Sequence, residues 1–156
     1  MADIHIEDFC KDAARILVQL FNQFPRPTSV YVEDIAGADH PDEYGLHSDR
    51  HMACFGTMLW LAEEGYIRYV DTVRQEAIDQ ATLTHKSLSL LSRISQDKHL
   101  LGDPVLCDQN TENTPEFTLP AEIAFEKKTN INLVRKAIAS GSSTRIYRVM
   151  QTLILT

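Results

Sequence analysis

Two histidines and a cysteine stand at spacings that can do chemistry. His47 and His51 are four residues apart and Cys54 follows three later. On one helix those intervals bring side chains toward a common face, and imidazole with thiolate is a zinc-type ligand set. His40, in the segment just upstream, is a fourth candidate. Two features weigh against a metal. Cys54 belongs to an apolar series with Phe55, Met58 and Leu61, where a thiol acts as a small hydrophobe, and His47 precedes the helix. The sequence therefore predicts neither a metal nor a cofactor. It also expects no enzyme: there is no phosphate-cradling glycine loop, no G-x-S-x-G and no H-E-x-x-H. Glu63 and Glu64 fall at the negative end of a helix dipole, which reads as a solvated face.

Charge limits the partners. The 156 residues carry 15 basic and 22 acidic side chains, a net of −7. Residues 1–125 hold 9 basic and 21 acidic groups, whereas residues 126–156 hold 6 basic and 1 acidic. The molecule as a whole does not attract a polyanion, so any nucleic-acid contact must use a local patch. The basic block of Lys127, Lys128, Arg135, Lys136, Arg145 and Arg148 reads as complementary to the acidic remainder, within a protomer or across a dimer. Hydrophobic residues make up 44% of the chain, enough for a core. Cys10, Cys54 and Cys107 form no C-x-x-C pair, the apolar stretches are too short to span a bilayer, and Met1–His5 has no leader character. A cytoplasmic protein is expected.

The elements that must position these residues follow from periodicity. Ile6, Phe9, Cys10, Ala13, Ile16, Leu17, Leu20, Phe21 and Phe24 recur at helical intervals until Pro25 and Pro27 stop the helix, with Glu7, Asp8, Lys11, Asp12 and Gln19 placed elsewhere. Ser29–Val32 reads as a short strand, Glu33–Ala36 as a brief helix and Gly37–Gly45 as a polar loop. A helix is expected from about Ser48 to Glu64, capped by Ser48 or Asp49 and ended by Gly65. Tyr66–Val70 then predicts a strand, Asp71–Glu76 a turn, Ala77–Leu83 a returning strand, and Thr84 the cap of a further helix containing Leu88, Leu90, Leu91 and Ile94. Gly102–Thr118 reads as a connector. Helices follow around Ile131–Ile138 and Ile146–Leu153, separated at Ser140-Gly141-Ser142-Ser143.

Two stretches carry a resemblance. Trp60-Leu61-Ala62-Glu63-Glu64-Gly65-Tyr66-Ile67-Arg68-Tyr69 resembles a third helix running into a first wing strand. Leu83-Thr84-His85-Lys86-Ser87-Leu88-Ser89-Leu90-Leu91 resembles a second wing strand entering the next helix. With the order of elements around them, residues 6–95 resemble the winged helix-turn-helix superfamily. The resemblance implies a mainly α fold with a small antiparallel β-wing. It divides the chain into a winged-helix-like domain (1–96), a connector (97–118) and a C-terminal helical extension (119–156). It further implies a transcription-regulator type of protein that binds double-stranded DNA as a homodimer, with Arg50, His51, Ala53 and Thr57 facing the groove and Arg68, Arg74 and Lys86 on the backbone. The expected surface is short of cations and rich in Glu33, Asp34, Asp39, Asp42 and Glu43. The alternative expectation is a protein-interaction module that keeps the fold without DNA binding. Trp60 and Tyr69 are read as packing against the first helix or the tail.

Overall fold

The computed structural model describes residues 3–107 and 125–155. Within them the chain is mainly helical with a small antiparallel sheet. It divides into two compact units, Met1–Leu88 and Ser89–Thr156.

In the first unit, helix α1 (Ile4–Gln23) buries Cys10, Ala13, Ala14, Ile16, Leu17 and Leu20, the stripe that the periodicity predicts. Asp12 lies on that stripe too and is fully buried, contrary to its expected place on the polar side. Strand β1 (Thr28–Tyr31) leads directly into α2 (Val32–Ala36), which buries Val32 and Ile35. A loop reaches α3 (Asp49–Glu63), where Ser48 caps the helix by accepting from His51 N at 3.2 Å. Cys54, Phe55, Met58 and Leu61 point into the core, and α3 packs against both α1 and α2. Gly65, with φ +81°, reverses the chain after α3 at no steric cost.

Next come β2 (Ile67–Arg68), β3 (Asp71–Val73) and β4 (Ala77–Leu83). Strand β4 is central: β1 pairs along one edge, and β2 and β3 pair along the other, all antiparallel. The expected turn over Asp71–Glu76 is corrected here, because Asp71–Val73 pairs with Ala77–Asp79 and the turn shrinks to Arg74 and Gln75. The partner strand is interrupted at Tyr69–Val70, beside Gln80 with φ +52°, and the β1 register shifts in the same region. A residue in the left-handed region displaces the ladder locally, as in a β-bulge.

Helix α4 (His85–Ser92) starts as predicted at Thr84, whose Oγ1 accepts from Ser87 N at 3.4 Å and donates to Gly65 O at 2.5 Å. Ser87 Oγ donates to Tyr66 O. The start of α4 is thus tied to the end of α3.

The second unit holds α5 (Lys98–Leu101), α6 (Pro104–Cys107), α7 (Asn130–Ser140) and α8 (Ser143–Ile154). Leu100, Leu106, Leu133, Val134, Ala137, Ile146, Val149 and Met150 are buried here. Asp97, Thr129 and Ser142 cap α5, α7 and α8 through their side chains. Asn130 Nδ2 donates to Leu90 O at 2.7 Å, and Ile94 pairs with Thr129 as an isolated bridge rather than extending α4. Part of the expected connector is therefore helical, since α5 and α6 fall in it. Residues 108–118 of the connector and 119–124 of the extension lie outside the described residues. Arg145 of the basic block pairs with Asp103 at 3.0 Å inside this unit. Among the described residues no helix is long and apolar enough to cross a membrane.

Candidate functional site

The seven residues assigned to a nucleic-acid surface have different fates. Arg50, on the first turn of α3, points back to α1. Its Nη1 and Nη2 each lie 2.6 Å from one carboxylate oxygen of Asp12, a bidentate pair, and its Nε lies 3.9 Å from Asp8. The guanidinium thus clamps α3 to α1, with its pKa raised by the Asp12 hydrogen bonds against the opposing effect of burial. His51 and Thr57, expected to face a groove, are 3% and 4% exposed. Thr57 Oγ1 donates to Ala53 O one turn back, at 3.0 Å. Ala53 is exposed. Arg68 and Arg74 are also exposed. Lys86 Nζ donates to Glu64 O at 3.0 Å and sits 4.2 Å above the Tyr66 ring.

The outward face of α3 is consequently Asp49, Met52, Ala53, Gly56 and Glu63, all exposed. It carries small and apolar side chains in the middle and carboxylates at both ends. Trp60 packs edge-on to Phe9 of α1 at 5.0 Å and lies 6.2 Å from the Tyr66 ring. That is the packing role read for it from sequence.

Beside this face, the loop between α2 and α3 closes over the first turn of α3. Asp39 organises it: Oδ1 accepts from Ser48 Oγ at 2.7 Å, from Ser48 N at 3.1 Å and from His40 N at 2.8 Å. Its other oxygen, Oδ2, lies 2.6 Å from His47 Nδ1 and 3.6 Å from His51 Nδ1. The Ser48 hydroxyl, against the opposing effect of burial and together with His47 and the two backbone amides, holds the carboxyl well below the usual carboxylate range. The His47 and His51 rings stack 3.9 Å apart and within 3° of parallel. A pocket of about 180 Å³ opens over them, bordered by Tyr31, Glu33 and Glu76.

Cys54 takes no part in this cluster. Burial first, then the Asp12 charge, raises its thiol to about 12. His47 and His51 are brought together as their spacing predicts, but the third group is Asp39 and not Cys54. Asp39 stands eight residues before His47 in a loop, where neither helical nor strand periodicity applies. The signal that was available is the run Asp39, His40, His47 and Ser48 in a loop that must return to a helix N-terminus.

Compared with family models, with curated proteins and with solved structures, the chain matches none.

Proposed function

We propose that the first unit is a winged-helix-type module whose third-helix face receives a protein partner. The order α1, β1, α2, α3, β2, β3, β4, α4, with β4 between β1 and the β2–β3 strand, supports the winged-helix resemblance. One observation carries the choice of partner: the exposed face of α3 has no lysine or arginine, because its single arginine is spent on Asp12. Phosphate contacts rely chiefly on cations and polar donors. Met52, Ala53 and Gly56 offer instead a shallow apolar strip between Asp49 and Glu63, suited to a helix or strand that brings apolar residues and cations. The expected homodimer is one form that such an interaction takes.

Regulator-like binding of double-stranded DNA is the second reading, favoured by the exposure of Arg68 and Arg74 along the hairpin. Selection from a random duplex pool at low and at moderate salt separates the two. The proposal expects no enrichment in either condition, together with a protein complex, homomeric or heteromeric, that Ala53→Glu disrupts. Enrichment of a duplex sequence that Arg68→Ala and Arg74→Ala abolish would overturn it.

A further inference from the structure

The cluster over the first turn of α3 contains one buried ring nitrogen with no hydrogen-bond partner, His51 Nδ1. His51 Nε2 lies 2.8 Å from the carbonyl oxygen of Gln75. A carbonyl only accepts, so Nε2 carries a hydrogen and Nδ1 is the ring nitrogen left for a further contact. That side chain is 2% exposed, and its Nδ1 has no hydrogen-bond partner. Its nearest charged neighbour is Asp39 Oδ2, at 3.6 Å. A ring nitrogen and a carboxylate oxygen this close and away from water call for a positive centre between them, a proton or a metal ion.

We propose that Asp39, His47 and His51 form a three-ligand site for a divalent transition-metal ion, zinc, with its open position toward the pocket beside Tyr31, Glu33 and Glu76.

The separations suit such an ion. One donor atom from each of the three residues lies within 4.8 Å of the others. Ligand atoms bound to one tetrahedral zinc at roughly 2.0–2.1 Å stand about 3.4 Å apart, and the His51–Asp39 pair is already at 3.6 Å. Two imidazoles and a carboxylate match zinc better than magnesium or calcium, which prefer oxygen alone. The supporting contacts are those that orient metal ligands generally. The Gln75 carbonyl fixes the His51 tautomer, and Ser48 with the His40 amide occupies Oδ1 of Asp39, leaving Oδ2 for the ion. Glu33 and Glu76 at the pocket mouth add negative potential that draws a cation in.

One adjustment is required. The two rings are stacked, so their in-plane lone pairs run side by side and do not converge. His47 must give up its Asp39 contact and rotate toward the ion. It lies on the loop and is partly exposed, which leaves it room to do so, whereas His51 is held in place. The bound ion cross-links the α2–α3 loop to α3, and through His51 to the hairpin turn at Gln75. Metal binding at this site does not depend on whether the partner is protein or DNA.

The test uses the untagged full chain, stripped with a chelator and titrated with zinc chloride in a calorimeter. Cobalt(II) absorption serves as a second readout of nitrogen and oxygen ligation. The expected result is one ion per chain, with His47→Ala and Asp39→Asn each weakening binding at least about tenfold. His40→Ala, in the same loop but with only its backbone used, binds as the wild type does. Because His47 is partly exposed, His47→Ala keeps the fold and isolates the ligand effect. Absence of zinc binding, or equal affinity in the wild type and His47→Ala, overturns the proposal.

Discussion

His51 Nε2 stands 2.8 Å from the carbonyl oxygen of Gln75, so the first turn of α3 holds the tip of the β3–β4 hairpin. The contact joins residues 24 apart in sequence. It is made at a strained place, because Arg74 and Gln75 adopt φ of +49° and +60° without being glycine. Glu76 N still closes the turn on Val73 O at 2.7 Å. A two-residue turn with both central residues left-handed matches the twist of its strands, but it favours Asn-Gly over Arg-Gln.

Relief of that strain is measurable. Replacing Arg74-Gln75 by Asn-Gly is expected to stabilise the chain by about 0.5–1 kcal/mol in urea unfolding, since His51 bonds the backbone of position 75 and not its side chain. An unchanged or lower midpoint would show that the turn carries no such strain.

Arg50 gives a prediction that distinguishes a clamp from a ligand contact. Asp12 is fully buried, so Arg50→Ala strands a carboxylate in the core. The expected loss is about 3 kcal/mol, near the low end for breaking a buried pair because the arginine is partly exposed. Arg68→Ala and Arg74→Ala lie on exposed strand and turn positions and should stay within about 0.5 kcal/mol of wild type. Thermal or urea unfolding of the three variants decides it, and equal stability of all three contradicts the clamp.

Gly56 lies in the exposed interior of α3, where an added Cβ meets nothing within 4 Å. Gly56→Ala should stabilise by roughly 0.5–1 kcal/mol through helix propensity. Gly65→Ala should destabilise, because φ +81° strains any L-residue even though space is open. Opposite signs in one pair of denaturation curves are the expected result. If Gly56→Ala also weakens a protein complex, the close approach that glycine permits is part of the proposed interface.

The buried thiols make the first unit less stable as pH rises. Burial, then the Glu7 charge, raises Cys10 to about 11, and burial, then the Asp12 charge, raises Cys54 to about 12. The unfolded value is near 9.0, so the fold favours the neutral thiols. Their contribution is complete below pH 9 and is lost as pH rises toward 11–12. The urea midpoint should therefore fall between pH 8.5 and 10.5 (about two units spanning the unfolded thiol value), and less steeply in Cys54→Ala. At neutral pH a thiol reagent should modify partly exposed Cys107 long before Cys10 and Cys54. Equal rates for all three would contradict the burial.

Local pattern determined much of this fold. The apolar periodicity of residues 6–24, the prolines after it, the β-branched and aromatic residues around Val30, the Ser48 cap and the glycine after Glu64 act over a few residues, so their consequences are visible without the tertiary structure. The burial of Asp12 is legible on the same grounds. Asp12 stands three residues after Phe9 and four before Ile16, on the apolar stripe, where a carboxylate needs a buried partner. What that partner is, however, depended on how α1 and α3 pack, because Arg50 is 38 residues away. The same holds for Asp39 with His47 and His51, and for His51 with Gln75. Periodicity assigns faces within one element. Only the packing of elements from distant parts of the chain decides which charged and polar groups must satisfy each other away from water, and that requirement turned three presumed groove residues, Arg50, His51 and Thr57, inward.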